Sequence, residues 1–165
     1  MIFAATTLIP MSAETFVHYQ EAAVAGYAKD NVASGRWPEE DAVERSQADF
    51  ALSLPQGLHT PDNYLFEIKA VNRDLTVGYI WFAVVEKNGL KSAFVYDVEI
   101  KPEFRRQGYA AAAFKALEPI VLTLGLSEIG LHVFNHNAGA QALYLKLGYG
   151  IASINMLKHL DTKTV

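Results

Sequence analysis

The chain has 165 residues, 51% hydrophobic and 19% charged, with a formal charge of -4 and no cysteine. That length and composition predict one globular domain over residues 1–165, able to bury roughly 70% of its unfolded surface. The acidic balance argues against a nucleic-acid partner, which needs a concentrated basic face, and the absence of Cys excludes disulfides, thiolate metal sites and a Cys nucleophile.

The most apolar run, residues 110–126, is broken by Lys115, Glu118 and Pro119 and falls short of the about 20 apolar residues of a membrane span. Met1-Ile2-Phe3-Ala4-Ala5-Thr6 lacks the cationic region of a secretory signal. The expectation is a cytoplasmic protein with no membrane partner.

Residues 2–9 read as a first strand. Ser12 is a plausible N-cap for a helix with Phe16, Tyr19, Ala23 and Tyr27 at helical spacing, fading near Gly35. Pro38-Glu39-Glu40-Asp41 reads as the first turn of a second helix with Val43, Phe50 and Leu54 inward, which makes Gly35-Arg36-Trp37 an interhelical loop. Residues 64–71, 76–85 and 91–100 are rich in aromatic and β-branched types and are separated by Asn72-Arg73-Asp74 and Asn88-Gly89, so they read as two hairpins. A third helix follows, with Phe114, Leu117, Val121 and Leu124 as an apolar stripe, a kink expected at Pro119, and Gly125 as its terminator. Residues 129–134 then form a short strand, parallel to the third hairpin strand because a helix crosses between them. Asn137 caps a fourth helix closing at Gly148, and residues 151–160 read as a last strand.

The segment Asp97-Val98-Glu99-Ile100-Lys101-Pro102-Glu103-Phe104-Arg105-Arg106-Gln107-Gly108-Tyr109-Ala110 carries the most chemistry. An apolar strand runs through Pro and two Arg into a glycine turn and an alanine-rich helix. A helix start of this kind offers unpaired N–H groups, the positive end of a dipole and guanidinium charge to a phosphate. Gly108 permits close approach to the backbone, and Ala110 with its small successors keeps the first turns clear. This is neither the dinucleotide fingerprint nor a Walker loop, having one central Gly and no Gly-Lys-Ser/Thr ending.

Further on stand Leu131-His132-Val133-Phe134-Asn135-His136-Asn137 and Ala142-Leu143-Tyr144-Leu145-Lys146-Leu147-Gly148-Tyr149. In this order, Arg105-x-x-Gly108-x-Ala110 followed by Asn137 and Tyr144 resembles the GNAT superfamily of N-acetyltransferases, from about Tyr96 to Tyr149. The resemblance implies an α/β GNAT (acyl-CoA N-acyltransferase) fold: a mixed, mostly antiparallel twisted sheet with a splayed parallel strand pair and helices on both faces. It implies acetyl-CoA as co-substrate and transfer to a primary amine of a small molecule or peptide. Backbone groups of Val98, Glu99 and Ile100 would hold pantetheine and the acetyl carbonyl. Arg105, Arg106, Gln107, Gly108, Tyr109, Ala110 and Ala111 would wrap the pyrophosphate, and Asn137 would contact the pantetheine arm.

Tyr144 is the general acid by resemblance; a phenol near pKa 10 protonates a thiolate only where the site brings the two pKa values closer. His132 sits where one branch of the superfamily carries a glutamate base, and its pKa near 6.5 suits collecting a proton. Asp97 and Glu99 share a strand face and are rivals for that role, or bind a cationic acceptor. His132 and His136 fall on a strand and a loop without a spaced carboxylate, which argues against a metal. Trp37 and Trp81 are the aromatics expected to line an acceptor pocket. With no covalent acyl carrier in evidence, transfer is expected within a ternary complex. The family usually closes its sheet with two strands after the fourth helix, and this chain has length for one good strand or two very short ones. That edge motivates an expected homodimer. A non-catalytic acyl-CoA sensor and a phosphate-binding domain unrelated to CoA are the rival readings.

Overall fold

Leu65 and Phe66 are consecutive residues buried in two different cores, because successive side chains of a strand point to opposite faces of the sheet. The computed structural model describes residues 4–71 and 73–161. Five strands, β1 (Thr6–Pro10), β2 (Asn63–Ala70), β3 (Leu75–Lys87), β4 (Leu90–Ile100) and β5 (Ile129–Leu131), form one sheet in chain order. The first three pairings are antiparallel and β4 with β5 is parallel. Helices α1 (Ala13–Ala33) and α2 (Ala42–Ser53) pack Tyr19, Val24 and Phe50 on the face carrying Leu65 and Trp81. Helix α3 (Tyr109–Thr123) packs Phe114, Leu117 and Val121 on the face carrying Phe66, Ile68 and Phe82, and Tyr144 of α4 (Ala138–Lys146) joins that side. This is the mixed sheet with a parallel pair and helices on both faces that the sequence implied.

Local signals explain most boundaries. The Ser12 side chain accepts the Thr15 N–H at 3.1 Å and starts α1. Asn88 and Gly89 both have positive φ, 54° and 79°, the two-residue turn whose twist matches a hairpin. Both α3 and α4 end on a glycine with positive φ, Gly125 and Gly148. In each, the next N–H reaches back to an orphan carbonyl, Leu126 to Val121 at 3.2 Å and Tyr149 to Tyr144 at 3.0 Å.

Several expectations are corrected. Residues 1–3 lie outside the described residues, and β1 begins at Thr6. Helix α2 starts at Ala42, not in the Pro38 turn; Asp41 flanks its start and pairs with Arg45 at 2.8 Å. Its inward stripe is Ala42, Ser46 and Phe50, with the Ser46 hydroxyl donating to the Val24 carbonyl at 2.7 Å. Val43, one position on, is turned outward and exposed, whereas Leu54 is buried as expected. Leu124 is exposed at the end of α3, its anchoring place taken by Leu126 just beyond the terminating glycine. Helix α3 continues through Pro119 to Thr123. Strand β5 stops at Leu131, leaving His132, Val133 and Phe134 beyond it. Residues 151–160 form no strand and are exposed throughout, because a strand persists only beside a partner and β5 pairs only with β4 among the described residues.

Candidate active site

The site originates in a bulge. Consecutive Trp81 and Phe82 of β3 pair with Asp97 and Val95, so Tyr96 is an extra residue on β4. Before it, Ala93 and Val95 face the α3 core; after it, Val98 and Ile100 do. The bulge therefore reverses the alternation and turns Asp97 and Glu99 together toward α1. It also coincides with the end of the β5 pairing, whose last rung is Val95 with Leu131. Residues 96–100 thus remain paired to β3 on one side and have no β5 rung on the other. This is a parallel pair that parts, beside the backbone of Val98, Glu99 and Ile100.

Glycine 78 fits β3 closely to this stretch: a Cβ there would collide with the Glu99 carbonyl. Downstream, the chain makes a short 3-10 turn, Pro102–Phe104, and enters α3 through Arg106 and Gly108, both at positive φ, 61° and 86°. No side chain caps α3, and its first intrahelical bond runs from the Ala112 N–H to the Gly108 carbonyl at 3.1 Å. Among the described residues, the N–H groups of Arg106, Gln107, Gly108, Tyr109, Ala110 and Ala111 meet no protein acceptor. Six free donors at the positive end of a helix fit a diphosphate. Arg105 spends its Nε–H on the Ile100 carbonyl at 2.9 Å, which ties the turn to the parted strand and leaves its terminal nitrogens for an anion.

Asp97 is the most perturbed carboxyl. The Tyr19 hydroxyl, 2% exposed and delivered by α1, donates to its Oδ2 at 2.8 Å. Burial pushes Asp97 up to about 6, the Tyr19 hydrogen bond opposing that push and the negative charge of Glu99 adding to it. Tyr19 itself is pushed well above the ordinary phenol value by burial and then by Asp97.

Tyr144 projects from α4, its ring edge-on to Phe114 at 5.3 Å. Burial, then the charge of Asp97, pushes its pKa to about 12, so the phenol is protonated at neutral pH and within electrostatic reach of Asp97. The expected tuning of this phenol toward a thiol does not occur, because an apolar site with a carboxylate nearby penalises phenolate. Tyr144 therefore keeps its hydroxyl proton and faces the cleft with a donor to offer. Asn137 caps α4 by accepting the Ala140 N–H at 3.2 Å.

His132 stands just past β5, edge-on to Phe134 at 5.2 Å. Burial and then the Arg36 charge lower its pKa, so it is neutral at pH 7. Arg36 lies over Phe134 at 5.4 Å, and His136 Nε2 stands 3.7 Å from Asp30 Oδ1.

One cleft of about 1050 Å³ brings these groups together. Asp97, Val98, Glu99, Ile100 and Arg105 line it from β4 and the following turn. His132, Asn137 and Tyr144 line it from β5 and α4, and Trp81 from β3. Arg106 through Ala111 are not in its wall; they follow directly on Arg105, which is. Trp37 is not in the wall either: it packs edge-on against Tyr27 at 5.4 Å, and Tyr27 forms the lining in its place. Asp30 was not singled out in the sequence, Tyr19 read there only as part of the α1 stripe and Arg36 only as part of the interhelical loop; nothing local marks any of them as a site residue. No cluster of metal-binding side chains occurs among the described residues.

Residues 26–149 match the Acetyltransferase (GNAT) family. Two proteins of Bacillus subtilis (strain 168) are similar along nearly their whole length. The uncharacterized N-acetyltransferase YycN is 35% identical over 153 residues, 93% of this chain and 97% of that one. The uncharacterized N-acetyltransferase YdgE is 33% identical over 156 residues, 94% and 99% respectively. The crystal structure of YycN superposes with a TM-score of 0.89, covering 94% of this chain and 99% of that chain. The fold alone is shared with AAC(6')-Iy in complex with the bisubstrate analog CoA-S-monomethyl-acetylneamine, 16% identical, with a TM-score of 0.59 and coverage of 96% and 99%. The chain belongs to the GNAT family of acetyltransferases.

Proposed function

We propose that this protein is an N-acetyltransferase that moves the acetyl group of acetyl-CoA to a primary amine of a small molecule or peptide, by direct attack in a ternary complex. The observation that carries the proposal is the parting of β4 from β5 beside Val98–Ile100, continuous with six unsatisfied amides at the start of α3. Those amides and Arg105 receive the pyrophosphate, the pantetheine lies along the unpaired edge of β4, and its thioester reaches the Asp97–Tyr144 end of the cleft.

The roles follow from charge. The acceptor arrives as an ammonium ion, attracted by Asp97 and Glu99. Asp97, with a pKa of about 6, is mostly ionised at pH 7 and takes one proton from the ammonium, directly or through a water, and the lone pair so freed attacks the thioester carbon. A β4 backbone N–H supports the developing oxyanion. On collapse the carbon–sulfur bond breaks, the Tyr144 hydroxyl donates a hydrogen bond to the departing sulfur and stays protonated, and the sulfur takes the second amine proton to leave as the thiol. His132, expected as a candidate base, is assigned to the cleft wall with Arg36 and Phe134.

The proposal extends to a single catalytic domain, working in the cytoplasm as a homodimer without a nucleic-acid, membrane or metal partner. Among the described residues no helix is long and apolar enough to cross a membrane. The test is an amine library incubated with protein and acetyl-CoA, read for N-acetylated products by mass spectrometry. Acetylation of a defined subset supports the proposal. Acetyl-CoA binding with no product from any amine would favour the sensor reading.

A further inference from the structure

Helix α1 delivers Tyr19 to Asp97, and the same helical face continues past Ala23 and Gly26 to Asp30, whose negative charge also bears on Asp97. Ala23, Gly26 and Asp30 all line the cleft. Gly26 lies two turns, about 10 Å of helix rise, beyond Tyr19. A glycine inside a helix destabilises it relative to alanine, so its presence calls for a reason. Two reasons ordinarily retain one, a left-handed backbone or a neighbour that leaves no room for a side chain. Neither holds at Gly26: its φ is not positive, and an added Cβ would meet nothing within 4 Å among the described residues. What the missing side chain leaves is open space in the cleft.

On β4 the wall beside Asp97 is Tyr96, the extra residue of the bulge. Its ring is stacked on Trp81 with centroids 4.8 Å apart and meets Phe94 at 5.0 Å, yet the residue is 47% exposed. An aromatic ring seated on other rings and left open toward a cleft suits a flat apolar partner. We propose that Gly26 and Tyr96 set the specificity for the acceptor, which places its amine at Asp97 and its body in the space left by Gly26, against the Tyr96 ring. The substrate class is a primary amine joined by a short chain to a planar apolar body. A second cation on the acceptor is not favoured, because Lys29 and Arg36 stand in the same wall as Asp30 and Asp49 and offset them. The inference rests on the amine-acceptor reading above and deepens it.

The test titrates the protein, saturated with CoA, with 2-phenylethylamine, ethylamine and 1,4-diaminobutane in a calorimeter, which reads acceptor binding without turnover. The wild type is expected to bind 2-phenylethylamine about 10-fold or more tighter than either of the others. Gly26→Leu fills the space and should bring that ratio close to one, with the affinity for CoA kept and Tm not lowered, since leucine is the better helix former. Tyr96→Ala should bring the ratio down as well; Gly26→Leu separates lost recognition from lost folding. No binding of 2-phenylethylamine, a wild-type ratio near one, a ratio that survives either substitution, or a preference for 1,4-diaminobutane would overturn the inference. Selective binding with no N-acetylated product would uphold it and overturn the catalytic reading instead.

Discussion

Tyr19 and Asp97, 78 positions apart, are joined by a hydrogen bond of 2.8 Å from the α1 hydroxyl to the β4 carboxylate. That bond is one of the forces holding Asp97 down against burial. The groups facing Asp97 are Tyr19 and Asp30 on α1, Glu99 on β4 and Tyr144 on α4. Tyr19→Phe removes the one hydroxyl of that set that hydrogen-bonds the Asp97 carboxylate among the described residues. The Asp97 pKa should climb above about 6, and the acidic limb of the kcat/KM profile should move to higher pH. A role in packing alone would leave the limb in place and change only Tm. With Asp97 as the base, His132→Ala should leave that limb where it is; a limb lost with the imidazole would give the role to His132 instead.

Asp97 also links activity to stability. Its folded pKa, about 6, exceeds the usual carboxylate value, so the fold prefers the protonated acid. The resulting stabilisation is fully present below about pH 4 and is lost as pH rises through about 6, a change on the order of 3 kcal/mol. Asp97→Asn keeps an acceptor for Tyr19 and removes the titration. Its Tm should exceed the wild-type Tm at pH 8 and match it near pH 4, while kcat falls about 10²-fold or more. Calorimetric scans across that pH range, paired with turnover, check both halves.

Tyr144→Phe deletes a hydroxyl and retains the ring against Phe114. The expected result is a loss of about 10²-fold in kcat with the affinity for acetyl-CoA nearly unchanged, measured by thiol release and calorimetry. Unchanged turnover would remove the donor role from this residue.

Gly108→Ala places a Cβ at φ 86°, a backbone conformation that costs about 1–2 kcal/mol for an L-residue. The nearest foreign atom to that Cβ would be 3.6 Å away, so the effect is conformational and not a collision. Tm should fall, and calorimetry with CoA should show weaker binding as the α3 amides lose their arrangement.

The cradle was legible in the sequence because it is local: an apolar strand, a glycine turn and small residues are contiguous, and the cap at Asn137 and the stops at Gly125 and Gly148 depend only on neighbours. The Asn88-Gly89 turn was legible for the same reason. Asp97 and Glu99 were seen to share a face, but which face depends on the bulge at Tyr96, which no periodicity announces. Tyr19 read as an ordinary core aromatic because its partner is brought to it only by the packing of α1 on the sheet. Val43 misled because the phase of α2 is set by Ser46 meeting the Val24 carbonyl, a contact made with another helix. Residues 151–160 have strand composition, yet composition does not supply a partner.

The central claim is that acetyl-CoA is held where β4 and β5 part. A crystal structure of the protein with CoA measures this directly. The account predicts the pyrophosphate on the amides of residues 106–111 and the pantetheine beside Val98, Glu99 and Ile100, its sulfur facing the Tyr144 hydroxyl. CoA bound elsewhere, or a diphosphate seated there with its pantetheine arm outside the gap, would contradict it.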